Sequence, residues 1–253
     1  LEERVGTLLV VRGQPPAATA AGLRLIRHHD EVALLEASVA VDLPLVAASA
    51  ATVRIAVNAD SLATWFLPAL AAAPGPMWDL VIDDQDWSED WLRRGEVAAA
   101  VTGSAGPVQG CDTHALGRLR YRATASPAFM ERWFRDGVTP PALARAPALT
   151  FNPKDRLQHA WIAARTGGQT VAFPFHHIAS PEGFVTAALL GIGWCMSAEP
   201  LVAPHLAAGR LVEVVPETPL DVAHHWQVAR LAAPALSGLT RAVRAAARAV
   251  LAP

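Results

Sequence analysis

Short apolar runs alternate with segments of helical periodicity from residue 53 to the end of the sequence. The pattern predicts strands at 53–57, 80–82, 97–101, 119–125, 148–151, 171–175, 194–197 and 225–231, and helices at 61–73, 87–94, 127–134, 157–165, 182–190 and 239–251. Such alternation is typical of α/β proteins built on parallel strands. The last strand and helix leave room for the chain to return to its starting lobe. The sequence therefore predicts two α/β lobes joined by two crossings, with a hinge and a cleft between them.

The first fifty residues lack this alternation of strands and helices and are expected to form a separate N-terminal part. Residues 1–12 read as the end of a helix followed by a turn and a short β run, and Thr19 is a plausible N-cap for a helix through Val39. That helix has an apolar stripe with little protein in its own segment to cover it, which predicts pairing with a second chain. An Ala/Ser run over 47–52 is typical of a linker.

These features set the expected boundaries. Residues 1–50 precede an α/β domain over 51–253, in which lobe I comprises about 53–118 and 226–253 and lobe II about 119–225.

Composition excludes several classes of protein. With 52% hydrophobic and 17% charged residues the chain is globular, and its net charge of −2 gives no broad basic surface for nucleic acid. The two cysteines, Cys111 and Cys195, are far apart and lack the spacing of a metal or disulfide framework. Because no apolar stretch reaches 18 residues and no export signal is visible, we expect a cytoplasmic protein that makes no membrane contact.

Polar residues follow several predicted strands, where ligands bind in open α/β sheets. The candidate ligand-binding residues are Asn58, Asp60, Ser61, Thr102, Asn152, Ser180 and Glu182. Taken singly, Ser61, Ser180 and Asp60 are better interpreted as helix caps and turn residues than as ligand contacts. Their joint placement at strand ends favours a shared cleft.

The segment 57–70, which reads VNADSLATWFLPAL, resembles the first effector-domain motif of LysR-type transcriptional regulators, in the ArgP/LysG (IciA) branch that responds to lysine and arginine. Segments 92–97, 133–139, 146–151 and 180–184 are similar to that branch in the same order, so the resemblance covers essentially the whole chain. It implies a type 2 periplasmic-binding-protein-like effector domain that binds a basic amino acid. It also implies a regulator that controls amino-acid export or metabolism genes.

The opening residues resemble the wing and the start of the linker helix in that family. The resemblance implies a helix-turn-helix before them, which the sequence does not contain. Thr7, Arg12 and Gln14 are candidate wing contacts to promoter DNA, but they fall far short of the contacts that specific binding requires. The apolar stripe of the helix that follows predicts a homodimer or homotetramer.

An amino-acid effector suits the chemistry of the predicted cleft. The Ser61 hydroxyl and the nearby helix N-terminus are suitable for a carboxylate, and a cationic side chain needs an acid. Asp60 is the first choice for that acid, ahead of Asp83, Asp84 and Glu182. Thr102 and Ser180 match positions that contact ligand in related regulators. The weaker hinge candidates are Asn152 and Asp155, and the predicted core aromatics are Phe151 and Trp194.

Other functions are less well supported by the residues. The His pairs at 28–29, 176–177 and 224–225 are poorly placed to chelate one ion, because neighbours on a strand point to opposite faces. No nucleophile elbow, metalloprotease motif or nucleotide-binding loop occurs, so we expect no enzyme, no metal and no cofactor. The alternative is a free-standing amino-acid-binding protein of the same fold, which an export signal would indicate.

Overall fold

The computed structural model describes residues 1–42, 52–74, 76–83, 88–103 and 106–253. Its N-terminal part comprises helix α1 (Glu2–Val5), strands β1 (Val10–Val11) and β2 (Ala17–Ala18), and helix α2 (Ala20–Asp42). Strands β1 and β2 form an antiparallel hairpin in which Val10 lies opposite Ala18. The predicted β run after a short helix is confirmed, whereas the second strand of the hairpin is not visible in the sequence pattern.

Helix α2 begins where the capping residue predicts. The Thr19 hydroxyl accepts a hydrogen bond from Gly22 N over 3.1 Å, which satisfies one of the free N–H groups of the first turn. Large apolar side chains along the helix are exposed, among them Ile26 at 51% and Leu35 at 45%. The expected linker at 47–52 lies outside the described residues except for Thr52, which begins a strand.

The central sheet has seven strands and is mixed. Its first members are β3 (Thr52–Val57), β4 (Met77–Ile82), β5 (Ala99–Thr102) and β6 (Cys111–Ala125). Helix α3 (Ala59–Ser61) continues through a π-helical segment (Leu62–Phe66) into α4 (Leu67–Ala71), and α5 (Ser88–Arg93) precedes β5. Strand β3 pairs in parallel with both β4 and β5, as the sequence predicts for lobe I.

The helices and strands that follow β6 were predicted from the sequence only in part. They are α6 (Pro127–Trp133), α7 (Pro140–Leu143), β7 (Ala148–Thr150), α8 (Leu157–Arg165), β8 (Phe175–His177), α9 (Pro181–Leu189), β9 (Cys195–Ala198), α10 (Glu199–Ala207), β10 (Val212–Glu213), β11 (Leu220–Ala229) and α11 (Ser237–Val250). We call the part around β3, β4 and β5 lobe I, and the part around β7, β8 and β9 lobe II.

Two of the predictions for lobe II are wrong. The strand expected at 171–175 lies instead at Phe175–His177, because the apolar Phe173 that suggested it is a buried loop residue in contact with Trp194. Lobe II is also not a second all-parallel unit, since β9 and β10 both pair with β6 in the antiparallel sense. Helix α10 and strand β10 were not predicted.

Strands β6 and β11 form the long antiparallel pair that joins the lobes. Arg120 on β6 donates to both carboxylate oxygens of Asp221 on β11, over 2.8 and 2.9 Å, and this bidentate geometry fixes the register of the pair. The register shifts by one residue between His224 and His225. Such an irregularity bends a strand locally and increases its twist.

Gly117 lies opposite His224 at this shift and has a φ of +118°. A Cβ atom there would lie 2.5 Å from the carbonyl oxygen of Ala252, which accepts a hydrogen bond from Arg118 N. Glycine is therefore required both for the backbone conformation and for the close approach of the residues that follow α11.

Gly117→Ala is predicted to lower the free energy of unfolding by at least about 2 kcal/mol, since it combines a disfavoured φ with a backbone clash. Gly167→Ala is the matched control, because Gly167 also has a positive φ of 67° but has nothing within 4 Å of a new Cβ. Urea denaturation of both variants measures the difference. Equal losses would show that the close approach at Gly117 does not matter.

Candidate functional site

Three strands of lobe I end side by side at one edge of the sheet. The register pairs Ile55 with Ala99 and Ala56 with Ala100, so Asn58 and Thr102 lie at neighbouring strand ends. Asp83 follows β4, and its N–H donates to Val57 O over 3.4 Å. The predicted convergence of these polar strand ends is therefore present in lobe I.

Asn58 is a buried polar residue at the start of α3. Only 2% of the residue is exposed, and neither its amide oxygen nor its amide nitrogen has a hydrogen-bond partner in the described structure. Asn58 stands at the N-cap position, yet its side chain makes no capping bond. A buried amide without partners is costly, so this side chain is suited to a ligand or an ordered water.

Ser61 shares this property. The residue is fully buried and its hydroxyl has no partner in the described structure. The interpretation of Asp60 and Ser61 as helix caps is wrong, because the helix begins at Ala59 and both residues lie inside its first turn. The first helical hydrogen bond runs from Leu62 N to Asn58 O, which leaves the N–H groups of residues 59–61 outside the helical ladder.

Asp60 is held at the junction of the two lobes. The Tyr121 hydroxyl on β6 donates to Asp60 Oδ2 over 2.9 Å, and Tyr121 is completely buried. Burial raises the pKa of the Cys195 thiol on β9, and the Asp60 carboxylate adds to that increase. The carboxylate therefore lies within electrostatic reach of lobe II while its backbone belongs to lobe I.

Thr102 is fully buried at the end of β5. Its hydroxyl accepts a hydrogen bond from the Gln227 amide on β11 over 3.1 Å, and the Gln227 carbonyl accepts one from Val108 N over 2.9 Å. Thr102 thus lies at the same edge of the sheet as Asn58, but its hydroxyl is already bonded to Gln227 within the protein.

The loop after β7 in lobe II is organised by its own side chains. Asp155 accepts hydrogen bonds from Phe151 N at 2.9 Å and from Leu157 N at 3.0 Å, and Asn152 Oδ1 accepts one from Lys154 N at 2.7 Å. These bonds rigidify the loop and explain why Asp155 is buried. The Lys154 ammonium reaches across to lobe I and lies 3.4 Å from Asp83 Oδ1.

Ser180 and Glu182 have local roles at the start of α9. The Ser180 hydroxyl accepts a hydrogen bond from Gly183 N over 3.0 Å, so the capping interpretation is confirmed for this serine. The same hydroxyl donates to Glu182 Oε2 over 3.3 Å, and Glu182 is exposed. Asp84 lies outside the described residues.

Sequence reasoning missed Tyr121, His224 and Gln227 in this region. It named Asp83 as a candidate acid but missed its partner, Lys154. Tyr121 and Gln227 lie on long strands, where the alternating pattern marks them only as inward-facing. The one available signal was that Lys154 is the only lysine in the sequence. The predicted core aromatics behave as expected, since Trp194 is fully buried and Phe151 packs against the core of lobe II.

His224 is buried next to the register shift. Its Nδ1 lies 2.9 Å from Val222 O, while its Nε2 is buried without a partner in the described structure. Burial lowers the pKa of His224 to about 4, and the nearby His225 adds to the decrease. The imidazole is therefore neutral at pH 7.

Other candidates lie away from the cleft. Thr7, Arg12 and Gln14 are all exposed in or beside the β1–β2 hairpin. Among the described residues, no group of three or more His, Cys, Asp or Glu is placed to hold a metal ion, and no helix is long and apolar enough to cross a membrane. A separate cavity of about 240 Å³ lies between α2 and lobe I, where the Arg27 guanidinium packs against Gly95.

Two lobes, a hinge of long strands and buried polar groups at the strand ends define an effector-binding domain of the periplasmic-binding-protein type. Residues 47–252 match the LysR substrate binding domain family. The HTH-type transcriptional regulator LysG of Mycobacterium tuberculosis (strain ATCC 25618 / H37Rv) is 41% identical over 248 residues, which cover 98% of this chain and 81% of LysG. The chain therefore belongs to the LysR family of transcriptional regulators, and the sequence resemblance is confirmed.

Solved structures agree with this assignment. The C-terminal domains of a LysR family protein from Agrobacterium tumefaciens are 55% identical, with a TM-score of 0.77, and the match covers 80% of this chain and 99% of that one. Full-length LysG from Corynebacterium glutamicum with bound effector Arg is 36% identical, with a TM-score of 0.76, and the match covers 100% of this chain and 86% of that one. LysR-type proteins are regulators that bind a small-molecule effector and DNA, and they are not enzymes.

As the pH drops from about 6.5 to about 4, the free energy of unfolding of the protein is predicted to decrease because of His224. Its pKa is lower in the folded protein than the ordinary 6.5, so the unfolded chain binds the proton first as the pH drops. The full effect is about 3 kcal/mol. Urea denaturation of the parent and of His224→Gln across this range measures it. Exposed His176 provides the control variant His176→Gln, and an unchanged slope in His224→Gln would contradict the assignment.

Proposed function

We propose that this chain is the effector-sensing part of a transcriptional regulator that responds to a basic amino acid, L-lysine or L-arginine. The observation that carries the proposal is the set of buried polar groups at one edge of lobe I, next to a carboxylate that reaches lobe II. An amino acid with a cationic side chain needs acceptors for positive charge and donors for its carboxylate. The arginine bound to LysG of C. glutamicum supports the choice of ligand class.

The effector carboxylate is assigned to Ser61 and to the N–H groups of residues 59–61. These N–H groups lie outside the helical ladder, and the partial positive charge of a helix N-terminus favours an anion. Asp60 accepts a cationic group of the effector, since it is the carboxylate closest to Ser61 in the chain. Asn58 and Thr102 supply hydrogen bonds from the same edge.

The lobe II contribution is assigned to Asn152, Ser180 and Glu182. In this structure these side chains are bound to their own loops, so their contribution to the effector requires a change of partner. They therefore support the proposal less strongly than the four residues of lobe I.

The regulatory output of the protein is expected to be the control of amino-acid export or metabolism genes in the cytoplasm. The exposed hairpin carries Thr7, Arg12 and Gln14 as minor contacts to the DNA backbone, which position a protein on the duplex and carry no sequence information. Base recognition is assigned to a helix-turn-helix, whose second helix reads base edges in the major groove, and the LysG relative is named an HTH-type transcriptional regulator.

The alternative of a free-standing amino-acid-binding protein shares the fold and the cleft. Helix α2 favours the regulator, because its 23 residues carry exposed apolar side chains that a free-standing binding domain has no need to present.

L-lysine and L-arginine are predicted to raise the melting temperature of the protein through preferential binding to the folded state, whereas L-leucine and L-glutamate do not. Asp60→Asn leaves the effector cation without its acceptor, and the expected cost of about 2 to 5 kcal/mol weakens binding roughly thirtyfold or more. Calorimetric titration with both basic amino acids measures the loss.

Asp79→Asn is the matched control, because Asp79 is an exposed acid of lobe I that pairs with Arg54. Ser61→Ala is expected to weaken both amino acids to the same extent, since it removes a contact to the carboxylate that they share. If Asp60→Asn binds L-lysine as tightly as the parent, Asp60 is not the acceptor. If the parent binds neither amino acid at millimolar concentration, the proposed function is wrong.

A second prediction concerns assembly through α2. Two chains are expected to pair along the exposed apolar stripe, to give a homodimer or homotetramer. Replacing Ile26 and Leu35 with Glu should reduce the sedimentation coefficient to that of a monomer at tens of micromolar protein. Exposed Leu190 on lobe II gives the control variant Leu190→Glu, and a parent that sediments as a monomer would exclude pairing along α2.

A further inference from the structure

Asp83 is an acceptor for positive charge that lobe I holds in place. The Trp91 indole donates to Asp83 Oδ2 over 3.0 Å, and the Asp83 backbone N–H donates to Val57 O. These two bonds hold both the carboxylate and the backbone of Asp83 in place beside Asn58. The second carboxylate oxygen, Oδ1, faces lobe II, because the Lys154 ammonium lies 3.4 Å from it.

The contact between the Lys154 ammonium and the Asp83 carboxylate is long for an ion pair. Ideal charge-assisted N–H···O bonds are about 2.7 to 2.9 Å long, so a separation of 3.4 Å is a loose contact. The Lys154 side chain is 45% exposed and that of Asp83 is 20% exposed. An ion pair of this exposure is weak and readily exchanges one cation for another.

We propose that Asp83 is a second cation-binding position of the cleft, and that the Lys154 ammonium occupies it until the cationic side chain of the effector displaces it. The inference rests on the proposed function and deepens it. A basic amino acid carries two cationic groups, and the described residues at this edge of lobe I include two carboxylates, Asp60 beside Ser61 and Asp83 one strand further away. The α-ammonium is adjacent to the carboxylate and goes to Asp60, while the side chain extends to Asp83.

This assignment differs from the expectation that Asp60 receives the side-chain cation. The reason is that Lys154 shows an alkyl ammonium already seated at Asp83, whereas Asp60 is bound to Tyr121. The consequence is an internal competitor: effector affinity is lower than the cleft alone would give, because every effector molecule must displace the tethered ammonium.

Calorimetric titration with L-arginine tests the proposal on the full chain. Lys154→Met removes the competitor and is expected to bind arginine about two- to fivefold more tightly than the parent. Arg156→Met is the matched control, since it removes the same charge two residues away in the same loop, and its affinity should stay within about twofold. Asp83→Asn should bind at least about tenfold more weakly, and Lys154→Met should bring no gain in that background.

Weaker binding by Lys154→Met would overturn the proposal, because the ion pair would then be a contact that closes the cleft over the effector. An affinity equal to that of Arg156→Met would also overturn it, as would unchanged binding by Asp83→Asn. If no variant binds a basic amino acid, the proposed function itself is wrong and this inference falls with it.

A second measurement follows the displacement directly. Reductive methylation with ¹³C-formaldehyde keeps the charge of lysine, and Lys154 is the only lysine, so its dimethylammonium gives one side-chain resonance besides that of the N-terminus. Saturating L-arginine should move that resonance to its position in Asp83→Asn. A resonance that arginine leaves in place, in a protein that calorimetry shows to be saturated, would exclude displacement.

Discussion

The antiparallel pairing of β6 with β11 is the interaction on which the rest of the structure depends. Both strands run from lobe I into lobe II, so the crossing between the lobes is a hydrogen-bonded ladder rather than two separate linkers. The bidentate contact of Arg120 with Asp221 holds the ladder in register, and Tyr121 of the same ladder reaches Asp60 in the cleft. A change in the relative orientation of the lobes must therefore be absorbed by these strands, and the local shift at His224 is where the ladder is least regular.

The proposed effector site combines two kinds of polar residue. Asn58 and Ser61 are buried without partners among the described residues, and a ligand that satisfies them removes the cost of leaving buried polar atoms unpaired. Asp60, Asp83 and Thr102 already have partners within the protein, so a ligand has to exchange one hydrogen bond or ion pair for another. In the proposed site the first group would therefore supply net binding energy, while the second group would supply selectivity at little net gain.

The sequence predicted the fold well where a local signal exists. Thr19 marks the start of α2, and the apolar runs of lobe I mark β3, β4 and β5, because capping and strand burial are encoded in neighbouring residues. The strand expected at 171–175 was wrong because a single buried Phe173 imitates a strand residue. Lobe I contained most of the predicted site, whereas the partners Tyr121 and Lys154 could not be predicted, since each meets its aspartate across about 60 to 70 positions of sequence.

The backbone bridge between Arg118 and Ala252 connects the end of the chain to the crossing point of the lobes. Helix α11 also packs against α4 and the π-helical segment that follows Ser61. This one helix therefore contacts both the strand pair that joins the lobes and the helix that begins at the cleft. A spin label or fluorophore at residue 252 would thus sit on the pivot of the molecule. Because a point on the pivot keeps its distance to each lobe when the lobes rotate about it, a label there provides a fixed reference against which a second pair of labels, one on each lobe, can be read in solution.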